Sequence, residues 1–338
     1  MEGDAIVQNR RHFLKTGFSI AAAGLAGAVA MTGARTSLAT EAPPETTSLR
    51  LEQWPPTCLA PIDIVDDLLR EEGFSDIRYV PGAEVGGGDA DFGSDYSGPA
   101  IIPIEGGKPI VMLAGIHPGC FELFARETIG SVLDLRGRKV GVSFIGSGEH
   151  YVLISIIAAN VGLDPAKDIN WVAREPREQM ELFANGEIDA FLANPPLAQE
   201  LRGRKFGHVI LNSTLDRPWS QYFCCMLLGN TDFVRRNPVA TKRVVRAVMR
   251  ATDICAAKPD WVAQRLVDRD FTSNYDYARQ GLEEIPYSGW RDYDPEDSVR
   301  FYALRLRELG MIKSSPDKII ATGTDWRFIK EVRKELGI

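Results

Sequence analysis

Residues 139–211 read KVGVSFIGSGEHYVLISIIAANVGLDPAKDINWVAREPREQMELFANGEIDAFLANPPLAQELRGRKFGHVIL. Lys139 to Ile145 reads as a strand, His150 to Val161 as a buried helix closed by Gly162, and Ile169 to Val172 as the next strand. Pro176 to Ala184 follows as a helix with proline in its first turn, where a missing N–H costs nothing, and Gly186 just past its end. Ile188 to Ala193 and His208 to Leu211 supply two more strands around a short helix at Pro196 to Leu201. Strands alternating with helices at this spacing predict a mainly parallel α/β sheet.

The alternation extends outward. Leu49 to Trp54 alternates like a strand, Ile62 to Leu69 carries a helical apolar face ended by Gly73, and Ile77 to Val80 reads as a second strand, the start of a β-α-β unit. Asn237 and Pro238 open a long helix to about Ala257, and Trp261 to Val267, Pro295 to Leu309 and Trp326 to Leu336 complete a mostly helical last third. The Gly-rich segment from Gly82 to Gly98 reads as a loop interrupted by Asp91-Phe92-Gly93, its glycines either holding special backbone near a ligand or simply flexible. No internal repeat is visible, which sets solenoids and propellers aside.

With 39 Lys+Arg, 46 Asp+Glu and 44% hydrophobic residues, the 338-residue chain has the composition of a soluble globular protein, not of a disordered, collagen-like or coiled-coil one. A net charge of −7 lacks the electrostatic attraction that nucleic acid or an anionic membrane surface would need. Cys58, Cys120, Cys224, Cys225 and Cys255 are too few and too scattered for a disulfide scaffold, so stability must come from buried apolar surface, divided between two lobes or domains. The first 39 residues stand apart. Arg10-Arg11, then Phe13-Leu14-Lys15, precede a small-residue apolar stretch from Gly17 to Met31 and a cleavage-like Ser37-Leu38-Ala39. This resembles a twin-arginine export signal cut near Ala39, and the apolar run is shorter than the roughly 20 residues needed to span a bilayer.

Several chemistries are missing from the pattern. Ser143 and Ser147 lack the Gly-x-Ser-x-Gly context of a nucleophile elbow, Tyr151 occupies the third glycine position of a dinucleotide fingerprint, and no Walker A sequence exists. Gly146-Ser147-Gly148 does supply a small-residue turn between a strand and a helix N-terminus, whose free N–H groups suit an anion or a polar ligand oxygen; the alternative is a helix start capped by Ser147. His117, His150 and His208 have no spacing that pairs two on one helix face, so no zinc site is expected. His117 lies between Gly115-Ile116 and Pro118-Gly119, a crossing between lobes from which it either reaches a cleft or stays on a surface loop. Cys224 and Cys225, in an apolar run, read as small core residues. Trp54, Trp219 and Tyr222 stand beside prolines, as pocket walls or as core.

Asp134 to Val142, Gly146-Ser147 before a helix, Gly162-Leu163-Asp164-Pro165, Gly186 to Phe191 and Pro195-Pro196 together resemble the periplasmic solute-binding proteins of the nitrate/sulfonate/taurine type. The resemblance implies an α/β fold in two lobes, a clamshell with a mixed, mainly parallel sheet in each: residues 40–118 with 215–338, and 119–214. It implies a monomer that captures a small organic solute, a sulfonate, nitrate-like anion, pyrimidine or aromatic compound, and delivers it to an ABC-transporter permease in the inner membrane. No catalysis, cofactor, metal or nucleic acid is implied. Carried over by position, Trp54, Thr57, Asp95, Tyr96, His117, Gly146, Ser147, Gly148, Asn194, Trp219 and Gln221 would face the ligand. That group shares its fold with the thiamine-pyrimidine synthases, so an iron-dependent enzyme using Cys224, Cys225 and His117 is the rival, and a ligand-presenting sensory partner the third reading. The synthase branch has a longer cysteine-rich run than the Phe223-Cys224-Cys225-Met226 found here.

Overall fold

A computed structural model describes residues 41–54, 57–146 and 148–338, and the export signal expected in residues 1–39 lies outside them. Among the described residues, ten strands form two five-stranded sheets of the same design. The first has the order β2-β1-β3-β10-β4, from Asp76–Pro81, Ser48–Gln53, Phe92–Tyr96, Phe223–Asn230 and Ile110–Pro118. The second has the order β7-β6-β8-β5-β9, from Asn170–Ala173, Lys139–Val142, Ala190–Ala193, Glu122–Ala125 and His208–Asn212. In each, one strand is antiparallel to both its neighbours, β10 in the first sheet and β5 in the second. Those two strands are the ones that follow the two crossings between sheets, 119–121 and 213–222. The remaining pairs are parallel, as the alternation with helices requires.

Local chemistry sets the element ends. The helix Pro176–Asn185 opens on proline and closes at Gly186, whose φ of 80° is the left-handed geometry glycine adopts freely. The helix Pro238–Ala257 buries Thr241, Val244, Val245 and Val248, a three-to-four-residue stripe, and stops where Lys258 precedes Pro259. Asn230 caps the helix Thr231–Arg236 by accepting from the Asp232 and Phe233 N–H groups at 3.1 and 3.2 Å. Replacing it with Ala is expected to cost about 1 kcal/mol in a urea unfolding titration, since two helix donors lose their acceptor; an unchanged midpoint would mean that water serves them as well.

Three of the expected elements differ from the sequence reading. The Gly82–Gly98 stretch is not all loop, because Phe92–Tyr96 is β3, and a helix, Ser97–Glu105, starts at the next residue. The strand expected to reach Ile145 ends at Val142, leaving Phe144 and Ile145 about half exposed in the turn before the helix Glu149–Asn160. The helix expected over 62–69 is broken into Ala60–Asp63 and Asp66–Glu71. Among the described residues, no helix is long and apolar enough to cross a membrane.

Candidate functional site

β1 ends just before Trp54 and Thr57, β3 ends on Tyr96, β8 ends just before Asn194 and Pro195, and β6 ends just before the turn that begins at Ser143. Loops at the carboxyl ends of parallel strands are where open α/β sheets hold ligands, and here loops from both sheets meet. Asn194 Nδ2 donates to the Tyr96 hydroxyl, and Thr57 N–H donates to the Pro195 carbonyl at 3.0 Å. These two bonds join the first sheet's strand ends to the second's. Next to them the Thr57 hydroxyl is buried with no hydrogen-bond partner among the described residues. The helix Ser97–Glu105 packs on the helix Glu149–Asn160, with Ile156 Cδ1 3.6 Å from where a Gly98 Cβ would lie.

A second bridge is ionic. Arg202, in the helix Leu197–Arg204, contacts Glu122 at 3.0 Å and Glu284, in the helix Tyr275–Glu284, at 2.5 Å. Burial pushes the Glu122 carboxyl up to about 7 even though Arg202 pulls it down. With two carboxylates on it, this guanidinium already has its counter-charges.

The structure brings some of the predicted site residues together and places others elsewhere. Thr57, Tyr96 and Asn194 meet as described. His117 is wholly buried behind them, its Nε2 3.1 Å from the Cys58 carbonyl and its Nδ1 3.0 Å from that of Gly119, with the Tyr287 ring edge-on at 5.2 Å. Asp95 is half-buried and accepts the Tyr96 N–H at 2.7 Å. Trp54 is 41% exposed. Gly146 holds a φ of 95° in the turn and Gly148 precedes the helix, while Ser147 lies outside the described residues. Trp219 is packed away, edge-on to Phe301 at 5.9 Å, and Gln221 faces solvent.

The sequence reading missed a group of buried thiols. Tyr96, Cys225 and His117 form one row across β3, β10 and β4, and Cys58 stands over that row through its carbonyl on His117. The ligand-type atoms of Cys58, His117, Cys120 and Cys225 all lie within 4.8 Å of one another, and Cys120 Sγ is 3.2 Å from Cys224 Sγ. Their neighbouring thiols, Cys120 ahead of Cys225, hold the Cys58 thiol well below its usual range, whereas burial pushes Cys120, Cys224 and Cys225 well above theirs. Histidine spacing carries no trace of this set, because its members come from four stretches that only the tertiary fold brings together. Cys224 and Cys225 are buried in β10, as the apolar run suggested.

Residues 123–266 match the NMT1-like family. A Brucella abortus chain named as a binding protein is 28% identical over 176 residues, 52% of this chain and 54% of that one, so the chain spans about half the length of the curated relatives it matches. The periplasmic nitrate-binding protein NrtA of Synechocystis superposes with a TM-score of 0.75 at 18% identity, covering 87% of this chain and 90% of that one. The alkanesulfonate-binding protein SsuA of Xanthomonas axonopodis, bound to MOPS, gives 0.63 at 14%, covering 80% and 96%. The desulfurization enzyme DSZB gives 0.57 at 16%, covering 86% and 99%. With its NMT1-like central segment and its two sheets of one design, the chain has the two-lobed fold of the periplasmic nitrate- and sulfonate-binding proteins.

Proposed function

We propose that this chain is the solute-binding component of an ABC importer, exported to the periplasm as a monomer and cleaved near Ala39. It captures a small organic solute or oxyanion between a lobe of residues 40–118 with 215–338 and a lobe of 119–214, and hands it to a permease in the inner membrane. The observation that carries this reading is the meeting of strand ends from the two sheets, where Tyr96 joins Asn194 beside a buried Thr57 hydroxyl that has no partner among the described residues. Opening of that seam would admit a ligand, and a ligand that binds both walls would favour the closed form. Thr57, Tyr96, Asn194 and Pro195 carry no positive charge, so an anion would be held by amides at the starts of the helices Ser97–Glu105 and Glu149–Asn160. The neighbours named as nitrate- and alkanesulfonate-binding proteins support that ligand class.

The test compares native and denatured masses of the purified mature protein, followed by a melting screen with nitrate, sulfonates, pyrimidines and aromatic acids. A small-molecule excess that leaves on denaturation, or a saturable rise in Tm, is expected. Thr57→Val should then weaken that ligand about tenfold by removing one hydrogen bond of about 1.4 kcal/mol, and Trp54→Ala should weaken an aromatic or apolar one. Affinity untouched by both changes would remove this wall from the site. A second reading, an enzyme, draws on the fold shared with DSZB and on the thiols behind Tyr96; a covalent change on the chain during turnover would favour it.

A further inference from the structure

We propose that Cys58, His117, Cys120 and Cys225 form a closed, tetrahedral Zn²⁺ site at the first crossing between the two sheets. This goes beyond solute binding and does not depend on it. The four side chains come from the turn after β1, the end of β4, the crossing itself and the start of β10, and all four are buried. Their ligand atoms lie within 4.8 Å of one another, and a zinc ion with S and N ligands at about 2.3 and 2.0–2.1 Å needs them about 3.5–3.8 Å apart. The four ligand atoms must therefore draw together as the ion binds.

Three further features surround the proposed ion. His117 has a backbone carbonyl at each ring nitrogen, Gly119 at Nδ1 and Cys58 at Nε2. A neutral ring has one N–H to give, so one nitrogen has its lone pair beside an acceptor, and the Cys58 thiol, hydrogen-bonded to the ring, is a donor beside it. A zinc ion takes that lone pair in place of the thiol proton once the carbonyl facing it turns aside, because an ion about 2.0–2.1 Å from the nitrogen would lie within about 2 Å of that oxygen, and the other nitrogen keeps its bond to its own carbonyl. The Tyr287 ring supports the imidazole edge-on, and the Tyr287 hydroxyl donates to the Thr57 and Cys58 carbonyls at 3.2 Å, holding the turn that carries Cys58. Cys224 Sγ, 3.2 Å from Cys120 Sγ, is placed to donate its S–H to a zinc-bound thiolate.

Three thiolates and one imidazole fill the tetrahedron, so the site has no open position for substrate and its role is structural. The ion would clamp the crossing at Cys120 to both β4 and β10, directly behind Tyr96. Each thiol gives up its proton as the metal binds.

The test is metal analysis of the full chain purified under reducing conditions, with cobalt exchange as a second measurement. Expected are about one zinc per chain and, with Co²⁺, the intense visible and thiolate charge-transfer bands of a tetrahedral thiolate site. Cys58→Ser and Cys225→Ser should each lower bound zinc to below about a tenth, whereas Cys255→Ser, buried in the helix Pro238–Ala257 outside the set, should keep it. Where a cysteine variant does not fold, the cobalt spectrum of the unaltered, folded chain decides. Neither zinc nor cobalt bands in that chain, full zinc in Cys58→Ser, iron in place of zinc, or a Cys120–Cys224 disulfide persisting under the reducing conditions would each overturn the proposal.

Discussion

Gly119→Ala is expected to cost about 3–5 kcal/mol in urea unfolding, among the largest effects of any single-methyl addition to this chain. Gly119 sits in the first crossing with a φ of 52°, and a Cβ there would lie 2.5 Å from the Ser213 carbonyl and from Thr214 Cα, and 2.6 Å from Thr214 N. All three are backbone atoms of the second crossing, which cannot swing aside as a side chain can. Ser213 further ties the two crossings together: its hydroxyl accepts the Cys120 and Phe121 N–H groups at 3.0 Å, and its own N–H donates to the Phe121 carbonyl at 3.0 Å. The added methyl must pry these bonds apart. Gly137→Ala is the control, with a φ of 73° and no atom within 4 Å of its Cβ, so only the left-handed backbone penalty of about 1–2 kcal/mol applies. Equal costs for the two would mean that the crossings do not need their close approach.

The architecture was legible because it rests on local signals. Proline and glycine punctuate the helix Pro176–Asn185, and β7, β8 and β9 are short apolar runs, so these lie within about two residues of where the sequence places them, whereas β5, Glu122–Ala125, is not read from the sequence. Two of the unread strands, β4 and β3, are hidden for different reasons. All nine residues of β4 are buried, since Tyr287–Arg291 and the helix Arg327–Leu336 cover it although it lies at the sheet edge, and a continuous apolar run has no period to read. β3 was hidden by its composition, Phe92-Gly93-Ser94-Asp95-Tyr96, in which Gly93 exists for a neighbour's benefit: its absent Cβ would fall 1.8 Å from Glu52 Oε2. That constraint is set by the β1 partner and leaves no mark on β3 itself.

The site was legible to the extent that it depends on strand ends. The family resemblance places Thr57 in the loop after the first strand, Tyr96 in the Gly-rich loop and Asn194 at a strand end, and the structure joins them through hydrogen bonds that involve Tyr96, Asn194 and the neighbouring Pro195. Trp219 was named for its aromatic ring beside a proline, yet the ring is consumed by Phe301, because an aromatic side chain near a turn gains more from burial than from waiting at a surface. The thiol group was invisible for a topological reason. Cys225 and His117 are 108 positions apart in sequence and become neighbours only because β10 returns from the second crossing to insert beside β4.

Glu52→Gln is expected to flatten the loss of stability that the native chain suffers between about pH 4.5 and 8. The alternation in β1 turns Leu49 and Leu51 inward and leaves Arg50 and Glu52 for the other face, where Arg50 pairs with Asp91 at 2.7 Å. Glu52 is only 7% exposed, and its Oε1 accepts the Val85 N–H at 2.8 Å. Burial outweighs that bond and those from Ser94 and Trp54, and pushes the carboxyl from 4.5 up to about 7. Between those values the folded chain holds a proton that the unfolded chain has released, so the stabilising contribution is complete below about pH 4.5 and is lost as pH rises through 7. The shift of about 2.5 pH units corresponds to about 3 kcal/mol. Gln can keep the bond to Val85 through its carbonyl oxygen and never ionises. Urea unfolding at pH 4.5 and at pH 8 should therefore show the native chain losing about 3 kcal/mol more than Glu52→Gln across that interval. Glu122, also lifted to about 7, is present in both proteins and cancels from the difference. Parallel losses would show that Glu52 ionises as readily in the folded chain as in the unfolded one, and that the amides around it offset its burial in full.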